Sequence, residues 1–331
     1  MTTPPESPSP ASNPRTRRAP GPVIVSVVGL LAVAGVAAIL VPGLSSHLQR
    51  QKLVEGAQQP ADPSSLASVI AAAETAARQD QPQQAEAILR QAVRDYPSRP
   101  DAFIALADLL VTRNQPEAAL PFYREAVRLA PKDAALRFSL ATLLNVVGDR
   151  AEAVGEFSRA VELAPGNPSY LLYLGHAQLG AGDLAGARLN LTKAVALAPD
   201  KDTGFAALAE IALRENALPI ALQHARKARE LSPGNVAYRV IEARALKRSN
   251  RPDEALALLE AAEGPRARDL PVLSLRAECL AMMNRASDAA ALLRQASDEA
   301  PADKALAREA LEYAKRAGLT DVAALQDRAA E

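Results

Sequence analysis

The chain has 331 residues, with 38 lysines and arginines balanced by 38 aspartates and glutamates, and it contains 72 alanines but no tryptophan. The lone Cys279 excludes an internal disulfide or a cysteine-based zinc site, and the three histidines are too scattered for metal-ligand spacing. Zero net charge and an aromatic content of 3% argue against nucleic acid as a partner. The hydrophobic content of 49% suffices for a core, and the alanine excess predicts that closely packed helices build it.

The first 22 residues are rich in proline and contain no valine, isoleucine, leucine or phenylalanine. Such a segment cannot bury enough apolar surface to fold. We therefore predict that residues 1–22 form a disordered tail.

An uncharged run of 19 residues, Val23–Val41, follows the tail. At about 1.5 Å per residue, a helix of this length spans the roughly 30 Å hydrocarbon core of a bilayer, and we predict a single transmembrane helix. A cleaved secretory signal is the alternative, because arginines precede the run and Val36–Ala38 resembles a small-residue cleavage site. Ile39–Val41 extends the apolar run beyond that site, which favours an uncleaved anchor.

The charges that flank this run indicate its orientation. Three arginines lie shortly before Val23, whereas only Arg50 and Lys52 follow the run, and Glu55 offsets part of their charge. This asymmetry favours a cytoplasmic N-terminus. The rest of the chain then lies outside the cytoplasm, in the periplasm of a Gram-negative cell, with the helix in the inner membrane.

Residues 42–65 are predicted to form a linker, and beyond them prolines recur at intervals of 34 residues, the last interval being twice 34. These prolines are Pro97, Pro131, Pro165, Pro199, Pro233 and Pro301. With the proline at the thirty-second place, seven repeats cover residues 66–99, 100–133, 134–167, 168–201, 202–235, 236–269 and 270–303.

Three other places in the repeat always hold a small residue. The twentieth and twenty-seventh places are alanine in all seven repeats, and the eighth is alanine except for Gly175. Chance does not produce this agreement, even in an alanine-rich region. Apolar residues recur at helical spacing on both sides of the fifteenth place, so each repeat is predicted to be two antiparallel amphipathic helices.

The fifteenth place holds a residue that tolerates the left-handed backbone conformation at the end of a helix. These residues are Asp80, Asn114, Gly148, Gly182, Asn216, Asn250 and Asn284. The proline then ends the second helix, and an aspartate or asparagine often stands ready to cap the next helix. Since no unit buries its apolar face alone, the repeats must stack.

A 34-residue helix-turn-helix with these small places and this proline resembles the tetratricopeptide repeat. The resemblance covers residues 66–303 and implies an all-α, right-handed superhelical solenoid, which residues 304–331 complete as capping helices. Repeat six departs furthest, because Gly264 and Pro265 end its second helix early, Ala267 replaces the proline and Glu242 occupies a normally apolar place. We expect a weak interface after that repeat.

Function in this family implies a concave groove, lined by the first helices, that holds a protein or peptide partner. Carried over to this sequence, the groove residues are Phe138, Thr142, Asn145, Leu172, His176, Arg244 and Lys247. Arg244, Lys247 and Arg248 are either an ordinary solvated face or a site for an anionic partner. Arg214 lies four residues after Glu210, so we expect these two side chains to pair.

The sequence has no phosphate-binding loop, no hydrolase or protease motif and no segment outside the repeats for a catalytic domain. We therefore predict a non-enzyme without a cofactor: a membrane-anchored scaffold for protein or peptide partners in the assembly or export of envelope proteins. Two alternatives stay open. One is a periplasmic or secreted adaptor released by signal cleavage, and the other is a non-catalytic subunit of an enzyme complex.

Overall fold

The computed structural model describes residues 66–262 and 264–330, and in this part of the chain every regular element is helical. The sixteen α-helices are α1 (Leu66–Arg78), α2 (Pro82–Asp95), α3 (Pro100–Thr112), α4 (Pro116–Leu129), α5 (Ala134–Val147), α6 (Arg150–Leu163), α7 (Pro168–Ala181), α8 (Leu184–Leu197), α9 (Asp202–Arg214), α10 (Leu218–Leu231), α11 (Val236–Arg248), α12 (Pro252–Glu260), α13 (Leu270–Met282), α14 (Ala286–Glu299), α15 (Lys304–Arg316) and α16 (Ala323–Ala330). A short 3₁₀ helix, Pro265–Arg268, precedes α13. The helices stack in antiparallel pairs as an all-α solenoid, as the sequence predicts.

The predicted tail, transmembrane helix and linker, residues 1–65, lie outside the described residues. Among the sixteen helices above, none combines the length and the continuous apolar sequence that crossing a bilayer requires.

The turn inside each repeat has the backbone that the fifteenth place predicts. All seven residues there have a positive φ, from 58° at Asp80 to 99° at Gly148. In repeat three, the amides of Gly148 and Asp149 both donate to the carbonyl of Leu144, at 3.0 and 2.9 Å. The turn thus satisfies carbonyls that the end of α5 would otherwise leave without partners.

The small residues mark the places where the helices of one repeat touch. A Cβ atom at Gly175 would lie 2.6 Å from Leu191 Cγ and 3.3 Å from the carbonyl oxygen of Ala187. Ala153 and Ala187, at the twentieth place of repeats three and four, are fully buried. Helix pairs therefore approach so closely that a larger side chain at these places has no space.

The first helices of the repeats lie on the inner side of the array. Helix α1 contacts α3, and each of α7, α9 and α11 contacts the next first helix along the chain. Successive second helices pack less closely in the part of the chain that the structure describes. Helices α3, α5 and α7 are less tightly packed against each other than α7, α9, α11 and α13 are. Successive first helices therefore lie further apart between repeats two and four than between repeats four and seven.

Repeat six ends early, as its sequence predicts, while the weak interface expected after it stays a prediction for hydrogen exchange to test. Helix α12 stops at Glu260, and Gly264 takes a φ of 88° before the 3₁₀ helix. The core nevertheless continues across this break, because Leu259 belongs to the same buried cluster as Val272 and Leu275 of the next repeat. Apolar contacts from α12 to α13 thus replace those that the missing helical turn would make.

Repeat five has the smallest side chains of the array in its core. Ala225 occupies the twenty-fourth place, where every other repeat has leucine, tyrosine or phenylalanine. The cluster between its two helices consists mostly of alanines, together with Leu213, Tyr238 and Ile241, while Leu208 and Ile211 pack in a separate cluster with repeat four. Each carbon removed from a core loses about 1 kcal/mol of burial free energy, so repeat five contributes less apolar stabilisation than its neighbours.

A buried charge lies at the interface between repeats five and six. Glu242 stands where repeats two to five carry leucine, and its side chain is 5% exposed. Its carboxylate accepts hydrogen bonds from Arg226 Nε at 3.1 Å and from Arg229 Nε at 2.7 Å, both on α10. These ion pairs compensate the free-energy cost of burying the Glu242 carboxylate. They lie where repeats two to five have a leucine side chain.

Candidate partner-binding groove

Four large apolar side chains stand at the fifth place of repeats one to four, on the first helices. We call Ile70, Ile104, Phe138 and Leu172 the apolar stripe. All four are partly exposed, and each packs with its other side against the buried core. In the next repeats the fifth place is buried, at Ala206 and Val240.

Phe138 is held in a cluster of aromatic rings. Its ring stacks on Tyr170 at a centroid distance of 4.8 Å and meets the edge of Tyr173 at 5.0 Å. The buried ring of Phe157 lies 5.5 Å away, on the second helix of the same repeat. Ring pairs at these distances add stabilisation beyond area burial, so Phe138 presents a fixed apolar surface.

The neighbours of Phe138 and Leu172 follow the expected helix faces. Thr142 donates its hydroxyl to the carbonyl of Phe138 at 2.9 Å, and Asn145 is exposed one turn further along. Leu172 reaches the next repeat, where a Cβ atom at Gly204 would lie 3.3 Å from Leu172 Cδ1. The absence of a side chain at Gly204 lets α9 approach α7 at this point.

His176 lies four residues after Leu172 and is only partly exposed. Burial lowers the pKa of His176 to about 4, so the imidazole is neutral at physiological pH. His176 therefore contributes a polar but uncharged edge to the groove.

We expect this histidine to make the folded state less stable in acid. In the unfolded chain the imidazole takes up its proton near pH 6.5. Between about pH 6.5 and 4 the unfolded state therefore binds more protons than the folded state, and the free energy of unfolding decreases as the pH falls. The His176→Gln variant should lose about 3 kcal/mol of that pH dependence. Urea denaturation of both proteins at several pH values measures the difference, because both retain His224 and all carboxylates. Identical slopes would contradict the burial of His176.

The ninth place, one helical turn after the apolar stripe, is acidic in repeats one and two. Glu74 is exposed, and Asp108 is partly buried and accepts a hydrogen bond from the hydroxyl of Tyr123. Burial, followed by the charge of Asp108, raises the pKa of Tyr123 well above its usual range. The resemblance assigns the second, fifth, ninth, twelfth and thirteenth places of each repeat to the groove. At these places of repeats one to four, Arg78 is the single basic residue, against Glu74, Asp101 and Asp108, and Asp101 pairs with Arg99 at 3.2 Å.

Arg244 and Lys247 lie in repeat six and are engaged with neighbouring repeats. Arg244 Nη1 lies 3.1 Å from Glu210 Oε2 of repeat five, and Lys247 pairs with Glu278 of repeat seven. Arg248 Nη1 donates to the carbonyl of Leu213 at 2.5 Å. We call these contacts of Arg244, Lys247 and Arg248 the clasp, because they join the first helices of three successive repeats.

The local pairing expected for Arg214 is wrong. Its guanidinium donates to the carbonyl of Leu179 at 3.3 Å, while Glu210 pairs with Arg244. Arg214 and Arg248 occupy the same place in successive repeats, and each bonds to the end of the preceding first helix. This arginine therefore bonds one repeat to the preceding repeat. A rule for side chains four residues apart in one helix does not predict such a contact.

These observations agree with comparisons to known proteins. The tetratricopeptide repeat family model matches residues 70–134, 104–168, 138–202 and 172–236, which together cover half of the chain. The chain belongs to the tetratricopeptide repeat (TPR) family. Members of this family are generally non-catalytic scaffolds for protein interactions. No curated protein sequence matches the chain.

Solved structures with the same TPR fold have low sequence identity to this chain. A tetratricopeptide repeat protein from Parabacteroides merdae is 14% identical with a TM-score of 0.56, covering 75% of this chain and 98% of its own. PilW, described as a type IV pilus biogenesis factor, is 16% identical with a TM-score of 0.53, covering 63% of this chain and 97% of its own. The Cut9–Hcn1 complex gives 17% identity and a TM-score of 0.54, covering 77% of this chain and 50% of that one. These likenesses show the fold alone.

The groove residues taken from the sequence therefore fall into two separate sets. Phe138, Thr142, Asn145, Leu172 and His176 lie on neighbouring first helices of this TPR array, whereas Arg244 and Lys247 lie in the clasp. Ile70 and Ile104, which were not among the residues named from the sequence, occupy the same place as Phe138 and Leu172. The signal was present, since all four occupy the same place in successive repeats.

Proposed function

We propose that this protein is a membrane-anchored scaffold that holds a protein or peptide partner on the inner face of repeats one to four. The observation that carries the proposal is the apolar stripe, a row of large, partly exposed side chains at the same place of four successive repeats, where the next two repeats carry buried residues. A few desolvated apolar side chains usually supply most of the binding energy at such a surface. The scaffold has no catalytic role of its own in this proposal.

Replacement of the stripe tests this function. The double variant Ile104→Ser, Leu172→Ser should lose its co-purifying partners after crosslinking in cells, because two central apolar contacts are removed. The matched control is Leu189→Ser on α8, where a leucine of a second helix is 56% exposed. Partner loss in the Leu189 variant, with retention in the stripe variant, would place the interaction on the outer face instead.

The anchor is part of the proposal and rests on the sequence of Val23–Val41. Its uncharged length, and the arginines before it, support an inner-membrane helix with the N-terminus in the cytoplasm and the repeats in the periplasm. A scaffold in that place would act in the assembly or export of envelope proteins. PilW, a TPR protein described as a pilus biogenesis factor, illustrates such a role for the fold.

Alkaline phosphatase fused after Glu331 should be active in this topology, since the enzyme folds only outside the cytoplasm. The mature chain should also keep its N-terminal residues and remain in the membrane fraction. An inactive fusion would overturn the orientation. A mature chain that starts near Ile39 would establish the alternative of a released adaptor, for which Val36–Ala38 provides the cleavage-like sequence.

A further inference from the structure

The inner face of the array is divided into an open and a closed half. In repeats five and six the fifth-place side chains, Ala206 and Val240, are buried, and so is Glu210 at the ninth place of repeat five. The clasp ties α9, α11 and α13 together over the same region. Large, partly exposed apolar side chains stand at the fifth place in repeats one to four and not in repeats five and six, so repeats one to four offer the apolar surface for a partner.

The open half presents two parallel lines of side chains. One is the apolar stripe at the fifth place, and the other is the ninth place, which lies on the same helix face one turn later. The ninth place holds Glu74, Asp108, Thr142 and His176. The second line is thus acidic over repeats one and two and uncharged over repeats three and four.

We infer that the partner is an amphipathic helix whose apolar side lies on the stripe and whose lysines or arginines lie over Glu74 and Asp108. This deepens the proposed function, on which it rests. Helices bind in grooves through apolar residues at i, i+3, i+4 and i+7, which form a line like that of the stripe. The acidic end matches basic side chains and repels acidic ones, which fixes the direction of the bound helix and its specificity.

Two synthetic peptides test the inference. Both have about 14 residues with leucine at helical spacing on one face, and the opposite face carries lysine in one and glutamate in the other. Fluorescence anisotropy with the full chain in detergent, and with micelles alone as the blank, gives both dissociation constants. The lysine peptide should bind at least about tenfold more tightly.

Variants identify the surface that makes this distinction. Ile104→Ser with Leu172→Ser should weaken the lysine peptide about tenfold or more. Glu74→Lys changes an exposed residue and leaves the core intact, so it should weaken the lysine peptide several-fold and strengthen the glutamate peptide. Met282→Ser is the control, because Met282 is an apolar groove residue beyond the clasp and is 46% exposed. It should change neither constant more than about twofold.

Three results would overturn the inference. The first is equal or stronger binding of the glutamate peptide by the wild-type chain. The second is an effect of Met282→Ser as large as that of the stripe variant. The third is a dimer in sedimentation that becomes a monomer in the stripe variant, since the stripe would then be covered by a second copy. The proposed function survives the first two if the stripe variant still loses its partners in cells, so the two failures are distinguishable.

Discussion

The Ala153→Phe variant should unfold at far lower denaturant concentration than the wild-type chain. Ala153 is fully buried on α6, as is its equivalent Ala187 on α8, whose carbonyl oxygen would lie 3.3 Å from a Cβ atom at Gly175 of the facing helix. A phenylalanine ring there must separate α5 from α6. Overpacking of this size costs about 3 kcal/mol, a large part of the stability of an array that depends on its neighbouring contacts.

The matched control is Arg150→Ala, one turn earlier on the same helix, where the side chain is exposed. The free energy of unfolding of this variant should stay within about 0.5 kcal/mol of the wild-type value. Circular dichroism in increasing urea compares the three proteins. Equal midpoints for Ala153→Phe and Arg150→Ala would mean that the twentieth place is not a helix contact.

Hydrogen exchange should show that the array opens first around repeat five. The core there consists mainly of alanine, with Ala225 at a place that is large in every other repeat, and Glu242 adds an ion pair instead of apolar packing. Amides in α9 and α10 should exchange at least about tenfold faster than those in α5 and α6, because local opening follows the smallest loss of buried apolar contacts.

The same measurement tests the continuity of the C-terminal half. Residues 236–330 share one buried cluster. We therefore expect the amides of α11 to α16 to become exposed to exchange together, in a single opening event. Faster exchange confined to residues 270–330, with α11 and α12 still protected, would restore the weak interface that the sequence of repeat six suggests.

Features that depend on neighbouring residues in the chain could be predicted from the sequence. The helix pairs and the left-handed turns at residues such as Asn114 and Gly148 follow from a local pattern that recurs every 34 residues. The need for small residues at Ala153 and Gly175 follows from the same period. Repetition makes such local signals strong, since each place is sampled seven times.

Features that depend on contacts between repeats could not be predicted in the same way. Arg244 pairs with Glu210 across 34 residues of sequence, and Lys247 with Glu278 across 31. Neither pair obeys a rule for charges within one helix, so the sequence did not reveal that Arg244 and Lys247 are paired with neighbouring repeats. The continuous core after Gly264 was missed for the same reason, because Leu259 and Val272 meet only in the folded array.

Site-specific photocrosslinking in cells tests the central claim most directly. A photoreactive amino acid is placed in turn at the fifth place of six repeats: Ile70, Ile104, Phe138, Leu172, Ala206 and Val240. The account predicts partner adducts at the first four positions and none at Ala206 or Val240, which are buried. Adducts at Ala206 and Val240, with none at Ile70 to Leu172, would contradict it.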